Sequence, residues 1–171
     1  MTEQQAVTIY TDGACLGNPG PGGYGVVLLH AGRRTELSGG YRRTTNNRME
    51  LLAVIAGLRT LPRRCVVTVY TDSRYVADAM SKGWARRWRA SGWVMSPKTP
   101  WLLRPNADQW QELLDLCAGH TVDFKWVKGH AGNVENERCD ALAVGAAQQS
   151  ALPPDAGYED SNARLAPTLF T

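Results

Sequence analysis

No run of apolar residues approaches the roughly 20 needed to cross a bilayer. The first residues, MTEQQAVTIY, lack the basic start and apolar stretch of a secretion signal. Cysteine is scarce and scattered: Cys15, Cys65, Cys117 and Cys139 show no C-x-x-C spacing, so neither a zinc site nor a disulfide framework is indicated. No charge dominates either. A net charge of +3 means that any affinity for nucleic acid must come from where the cations lie. No G-K-[ST] follows the glycine-rich stretch, which excludes a nucleotide P-loop. The literal G-x-G-x-x-G of Gly20, Gly22 and Gly25 runs into VVLLH, a strand-like segment, where a dinucleotide site needs a helix. These absences leave 171 residues with room for one domain and a real core. A reducing cytoplasm, no membrane and a monomer are the expectations.

Hydrophobic spacing predicts strands at 6–12, 23–30 and 33–41, the glycine-rich loop joining the first two as a hairpin. In TTNNRMELLAVIAGLRTL, Leu51, Val54, Ile55 and Leu58 recur at helical spacing; Thr45 or Asn46 caps the start and Pro62 closes it. A strand at 65–71, a short helix capped by Ser73, a basic Trp-rich segment at 82–104, a helix, a strand and a last helix follow. One folded domain is expected over 1–148. Residues 149–171, small, polar and proline-containing with no periodic apolar face, read as a disordered tail. The alternative is a tail docked through Leu169 and Phe170.

One internal echo organises the rest. VTIYTD (Val7–Asp12) returns as VTVYTD (Val67–Asp72), with enough chain between them to cross over and lay the second strand parallel to the first. In register, Asp12 and Asp72 stand side by side at the carboxyl ends, where open α/β sheets place their sites. Glu50 shares a helix stripe with Val54 and Leu58 and so points toward the sheet, where an unpaired carboxylate is costly. A salt bridge to Arg48 is the bland explanation for it. Asp140 also heads an apolar stretch, on the last helix. Four hard oxygen donors suit magnesium or manganese, and paired hard ions serve in-line phosphoryl displacement. His130, in KGHAGN, lies in a Gly-flanked loop from which it can move protons near neutral pH.

YTDGACLGNPGPGGYG, RTTNNRMEL, YTDSRYV and WVKGHAGNVENERCDALA, in that order, resemble ribonuclease H type 1 over residues 6–147. The resemblance implies an α/β, ribonuclease H-like fold, a five-stranded mixed sheet with helices on both faces. It also implies an endoribonuclease that cleaves the RNA strand of RNA–DNA hybrids by a two-metal-ion mechanism, with two Mg2+ ions or Mn2+ in their place. Asp12, Glu50, Asp72 and Asp140 match the family's metal-binding acids and His130 its flexible-loop histidine. Gly13, Cys15, Asn18, Asn46 and Asn47 match residues lining the hybrid's minor groove, where 2′-hydroxyls are exposed. Arg43 and Thr45 match contacts to a DNA-strand phosphate. Arg74 stands where many members carry Gln, Asn133 replaces a common His, and SPKTPWLLRPNADQW is longer and more apolar than the family's Lys-rich stretch.

Lys82, Arg86 and Arg89 fall on one helical face and Trp84 and Trp88 on the other, with Arg87, Lys98 and Arg104 adding charge. This segment resembles the family's basic protrusion that grips the DNA strand. The rivals are another nuclease or resolvase of the same fold class, against which TTNNRMEL argues, and a hybrid-binding module without catalysis, which would not need four acids.

Overall fold

The chain runs through β1 (Gln5–Cys15), β2 (Gly20–His30), β3 (Arg33–Thr44), α1 (Asn46–Arg59), β4 (Cys65–Thr71) and α2 (Arg74–Ser81). It continues through α3 (Trp84–Ala90), α4 (Ala107–Ala118), β5 (Thr121–Trp126), α5 (Val134–Ala147) and α6 (Ala156–Leu165). This computed structural model describes residues 4–165. The five strands form one mixed sheet in the order β3-β2-β1-β4-β5. The first three pair antiparallel, as short connections allow, while β4 and β5 run parallel to β1 after helical crossovers. The two hexamers are neighbours in register, with Tyr10 opposite Tyr70 and Thr11 opposite Thr71.

Alternation splits the sheet into two working faces. Val7, Ile9 and Thr11 of β1, with Cys65, Val67, Val69 and Thr71 of β4, are buried on one side, where α1 packs between the sheet and α4. Because α1 is covered by sheet and helix, Met49, Leu51, Val54, Ile55 and Leu58 are all essentially inaccessible. Thr45, Ser73 and Asn133 each accept a backbone N–H as N-caps of α1, α2 and α5, satisfying donors that a helix start leaves orphaned. Tyr10 and Tyr70 lie on the other face, their rings stacked 4.9 Å apart.

The glycines explain how α5 covers that second face. β1 and β2 are longer than expected, and only residues 16–19 separate them. Gly13, Gly20 and Gly22, outside the expected strands, are strand residues: Gly13 pairs with Tyr24 and Cys15 with Gly22, and the ladder continues through Ala14–Gly23 and Asp12–Gly25. A Cβ on Gly25 would collide with the Cys139 carbonyl oxygen, and one on Gly23 with that of Ala143. The missing side chains let α5 approach to backbone contact, a use of strand glycine that mimics a turn in sequence.

Two other expectations change. The basic segment is not one continuous helix: α2 ends at Ser81, and Gly83, at φ 74°, precedes α3, so Lys82 lies outside the helix that carries Arg86 and Arg89. Beyond α3 the chain folds into a small hairpin with Val94 bridged to Leu103. Nor is the stretch after 148 a disordered tail over the residues described. Pro153 accepts a hydrogen bond from the Arg42 amide at 2.9 Å, and Asp155 is 3% exposed. Residues 156–165 form α6, its start capped by Asp155 through the Tyr158 amide. Polarity misled here because this segment docks through charge. Leu169 and Phe170 lie outside the described residues.

Gly25→Ala should destabilise the protein by about 1–3 kcal/mol, the usual range for overpacking. Urea melts of the two proteins measure the difference, and an unchanged midpoint would show that α5 can move away freely.

Candidate active site

Glycine also builds the site. A Cβ on Gly13 would lie 2.5 Å from the Glu50 nitrogen and 2.6 Å from the Met49 carbonyl carbon. Only with hydrogen at that position can the start of α1 rest against β1 and deliver Glu50 beside Asp12. The Gly13 amide donates to Asp12 Oδ1 at 2.9 Å. Asp72 follows β4 directly, next to Asp12 by virtue of the strand register. One oxygen from each of Asp12, Glu50 and Asp72 lies within 4.8 Å of the others. Asp140 is outside this tight group; it is half-buried on α5, and its charge still acts on Asp12.

Glu50 is not neutralised by Arg48. That guanidinium is committed to Asp155 and Asp108 at 2.8 Å each. Glu50 Oε2 is buried without a hydrogen-bond partner. Burial, first, and the charge of Asp72, second, push the Asp12 carboxyl up to about 8; Asp140 adds to the rise, and hydrogen bonds from Glu50 and the Gly13 amide oppose it. Burial also pushes Glu50 well above the usual carboxylate range, with the charges of Asp12 and Asp72 adding to it. Oxygen donors only, mutual repulsion and an orphaned buried oxygen together fit a hard divalent cation.

His130 is exposed at φ 54° in the loop between β5 and α5. That loop meets the acids through its neighbour: a Cβ on Gly129 would come within 2.7 Å of Asp72 Oδ2. Asn133, where the family often has His, caps α5. Trp126 escaped the sequence reading. Its Nε1–H donates to the Asp72 carbonyl at 3.0 Å, and the Arg74 guanidinium sits 3.8 Å above its ring. An aromatic residue at the carboxyl end of a strand beside the acidic pair was the available signal. Arg74 is thus held on an aromatic shelf close to Asp72.

The other expected substrate-binding residues gather at the carboxyl end of β1. Asn18 Oδ1 accepts from the Asn46 amide at 3.1 Å, tying the β1–β2 turn to the start of α1. The Cys15 thiol faces the carbonyls of Gly20 and Thr44. Thr45 is engaged as the α1 cap, while Arg43 and Asn47 are exposed. A groove of about 340 Å³ runs from Asn47 to Trp84, Trp88, Met95 and Arg104, bringing α3 opposite the start of α1.

The cationic stripe needs correction. Lys82 lies 3.7 Å from Asp78, and Arg89 is paired with Asp115 at 2.8 Å, so two of its three cations face acids. Arg86 and Arg87 are exposed and make no ion pair among the described residues. Trp84 is itself exposed, with Lys82 5.1 Å from its ring centre, so Trp88 is the aromatic residue that anchors α3 through its edge contact with Trp110.

The RNase H family model matches residues 4–148. The chain belongs to the RNase H family. The ribonuclease H of Trichodesmium erythraeum (strain IMS101) is 58% identical over 160 residues, covering 93% of this chain and 100% of that protein. Among solved structures, LC9-RNase H1, described as a type 1 RNase H with the type 2 active-site motif, is 37% identical with a TM-score of 0.75. The match spans 96% of this chain and 84% of LC9-RNase H1. LC11-RNase H1 in complex with RNA/DNA hybrid is 25% identical with a TM-score of 0.60, over 82% of this chain and 95% of that one.

The raised carboxyls give this RNase H a defined pH response. A folded-state pKa above the unfolded 3.8 stabilises the metal-free protein fully below about pH 4, and that contribution is lost as pH rises through about 8. Asp12→Asn should therefore raise the melting temperature of the EDTA-treated protein at pH 8 and change it little at pH 4. Melts from pH 4 to 9 read the difference, and equal curves at pH 8 would contradict it.

Proposed function

We propose that this RNase H hydrolyses the RNA strand of RNA–DNA hybrids, with two Mg2+ ions held by Asp12, Glu50, Asp72 and Asp140. The observation that carries the reading is the trio of carboxylate oxygens within 4.8 Å in a mostly buried setting. When bound, such ions supply an activated water and neutralise charge on the leaving oxygen. The protein's own groups do the rest. Gly13 and the β1–β4 register fix the acids before substrate arrives, so that no reorganisation is needed at the moment of reaction. Gly13, Cys15, Asn18, Asn46 and Asn47 form a narrow uncharged strip that suits a minor groove displaying 2′-hydroxyls, the feature that separates RNA from DNA. His130, exposed on its loop beside Asp72, can carry a proton to or from the reacting oxygen. A binding module without catalysis would have no use for a self-repelling buried cluster.

Cleavage of a labelled RNA–DNA hybrid beside RNA–RNA and DNA–DNA duplexes, with Mg2+ and with EDTA, tests the proposal. Cutting of the hybrid's RNA strand alone, lost with EDTA and in Asp72→Asn, is expected. Activity that survives either treatment would remove the metal mechanism. His130→Ala should slow turnover by about 10²-fold or less with little change in KM; an unchanged kcat would make it a bystander.

Arg86 and Arg87 are proposed as the cations of α3 free to meet phosphates, with Lys82 and Arg89 contributing less because each faces an acid. Replacing Arg86 and Arg87 with Ala should raise KM and leave kcat nearly intact. The salt dependence of hybrid binding should also flatten, by up to about 0.9 in log–log slope for each phosphate no longer neutralised, the value for a B-form duplex. Binding titrations at several salt concentrations decide it, and the wild-type slope and KM would show the pair to be solvated surface only.

A further inference from the structure

The segment after α5 ends in a buried ion network on the corner that carries the active-site helix. Arg48, 3% exposed, stands in the first turn of α1, two residues before Glu50. Asp155, equally buried, accepts from Arg48 Nε at 2.8 Å and from Nη2 at 3.1 Å, and from the Thr44 hydroxyl at 2.7 Å. Asp108 at the start of α4 takes the other side of the guanidinium in a bidentate pair of 2.8 Å bonds. One carboxylate thus holds the last residue of β3 and the first turn of α1 together. Two further ties, Arg42 N–H to the Pro153 carbonyl and Arg42 to Glu159, fasten the same segment to β3.

We infer that Asp155, acting through Arg48 and Thr44, is a positioning residue for Glu50 and the neighbouring Asn46 and Asn47. Glu50 has a carboxylate oxygen within 4.8 Å of those of Asp12 and Asp72, and its Oε2 is buried with no hydrogen-bond partner to hold it. The position of that carboxyl is therefore set through the backbone of α1. Arg48 cannot hold that backbone unaided, since a buried guanidinium with one side unpaired would draw in water or swing outward. Paired on both sides in rigid bidentate geometry, it clamps the corner from β3 and from α4 at once. Residues beyond the matched family span therefore contribute to the metal site without touching it.

The inference rests on the metal-dependent reading, and the test separates the two. Asp155→Asn and the milder Thr44→Val are made in the full chain and compared with wild type under identical conditions. Hydrogen exchange at the amides of residues 46–50 is followed relative to those of β1 and β4. The Mg2+ concentration giving half the maximal rise in melting temperature and in kcat is measured beside KM for the hybrid.

Faster exchange confined to the 46–50 corner, with the Mg2+ midpoint raised about fivefold or more in Asp155→Asn and less in Thr44→Val, is expected. A lower melting temperature with wild-type exchange at 46–50 and an unchanged Mg2+ midpoint would reduce Asp155 to a stabilising residue and overturn the inference. If Asp155→Asn does not fold, Thr44→Val alone decides by the same readouts. Absence of any Mg2+ effect on the wild type would instead overturn the metal reading.

Discussion

Three carboxyl groups held within 4.8 Å of one another, two of them buried, form the constraint on which the rest of this structure depends. Left alone they repel, and water is too scarce around Asp12 and Glu50 to screen them. The fold opposes that repulsion with backbone geometry. Parallel pairing of two near-identical hexamers sets Asp72 beside Asp12. Gly13 lets the first turns of α1 come against β1. Gly23 and Gly25 bring α5, and with it Asp140, close over the other face. The frustration that remains is what a divalent cation relieves, so stability given up by the metal-free site returns as metal affinity.

Much of this was legible in the sequence. The hexamer echo predicts parallel register because an Asp at the end of each copy has a use only if the copies are neighbours. Glu50 stands out as an acid on an apolar helix stripe, and its pairing with Arg48 was the alternative that only coordinates could remove. What could not be read was close approach between backbones. Gly20 and Gly22 look like a loop in sequence but extend β2, and the reason for glycine at Gly23 and Gly25 appears only once α5 is seen lying on them. The segment after residue 148 was missed for a related reason. Its anchors are Asp155 and the Arg42–Glu159 pair rather than an apolar face, and polarity signals solvent unless the partner is known. Helical periodicity projected Lys82 and Arg89 onto one free cationic stripe; Gly83 breaks the helix, and both residues meet an acid.

The proposed substrate surface follows from the same scaffold. The strip from Gly13 to Asn47 owes its position to the β1–β2 turn and the α1 start, joined by the Asn18–Asn46 hydrogen bond. Arg74 on Trp126 marks one flank and the groove toward α3 the other. Uncharged donors and acceptors in the middle with cations on the flanks is the division expected when phosphates orient a duplex and groove contacts identify it.

The account's central claim is that acids kept protonated by burial and by the repulsion between their ionised forms give up protons to bound metal. Calorimetric titration of the metal-free protein with Mg2+ at pH 7, repeated in buffers of different ionisation heat, measures it most directly. With Asp12 near 8 and Glu50 also raised, binding should release on the order of one proton or more. Saturable binding with no proton release, or no binding, would contradict the account.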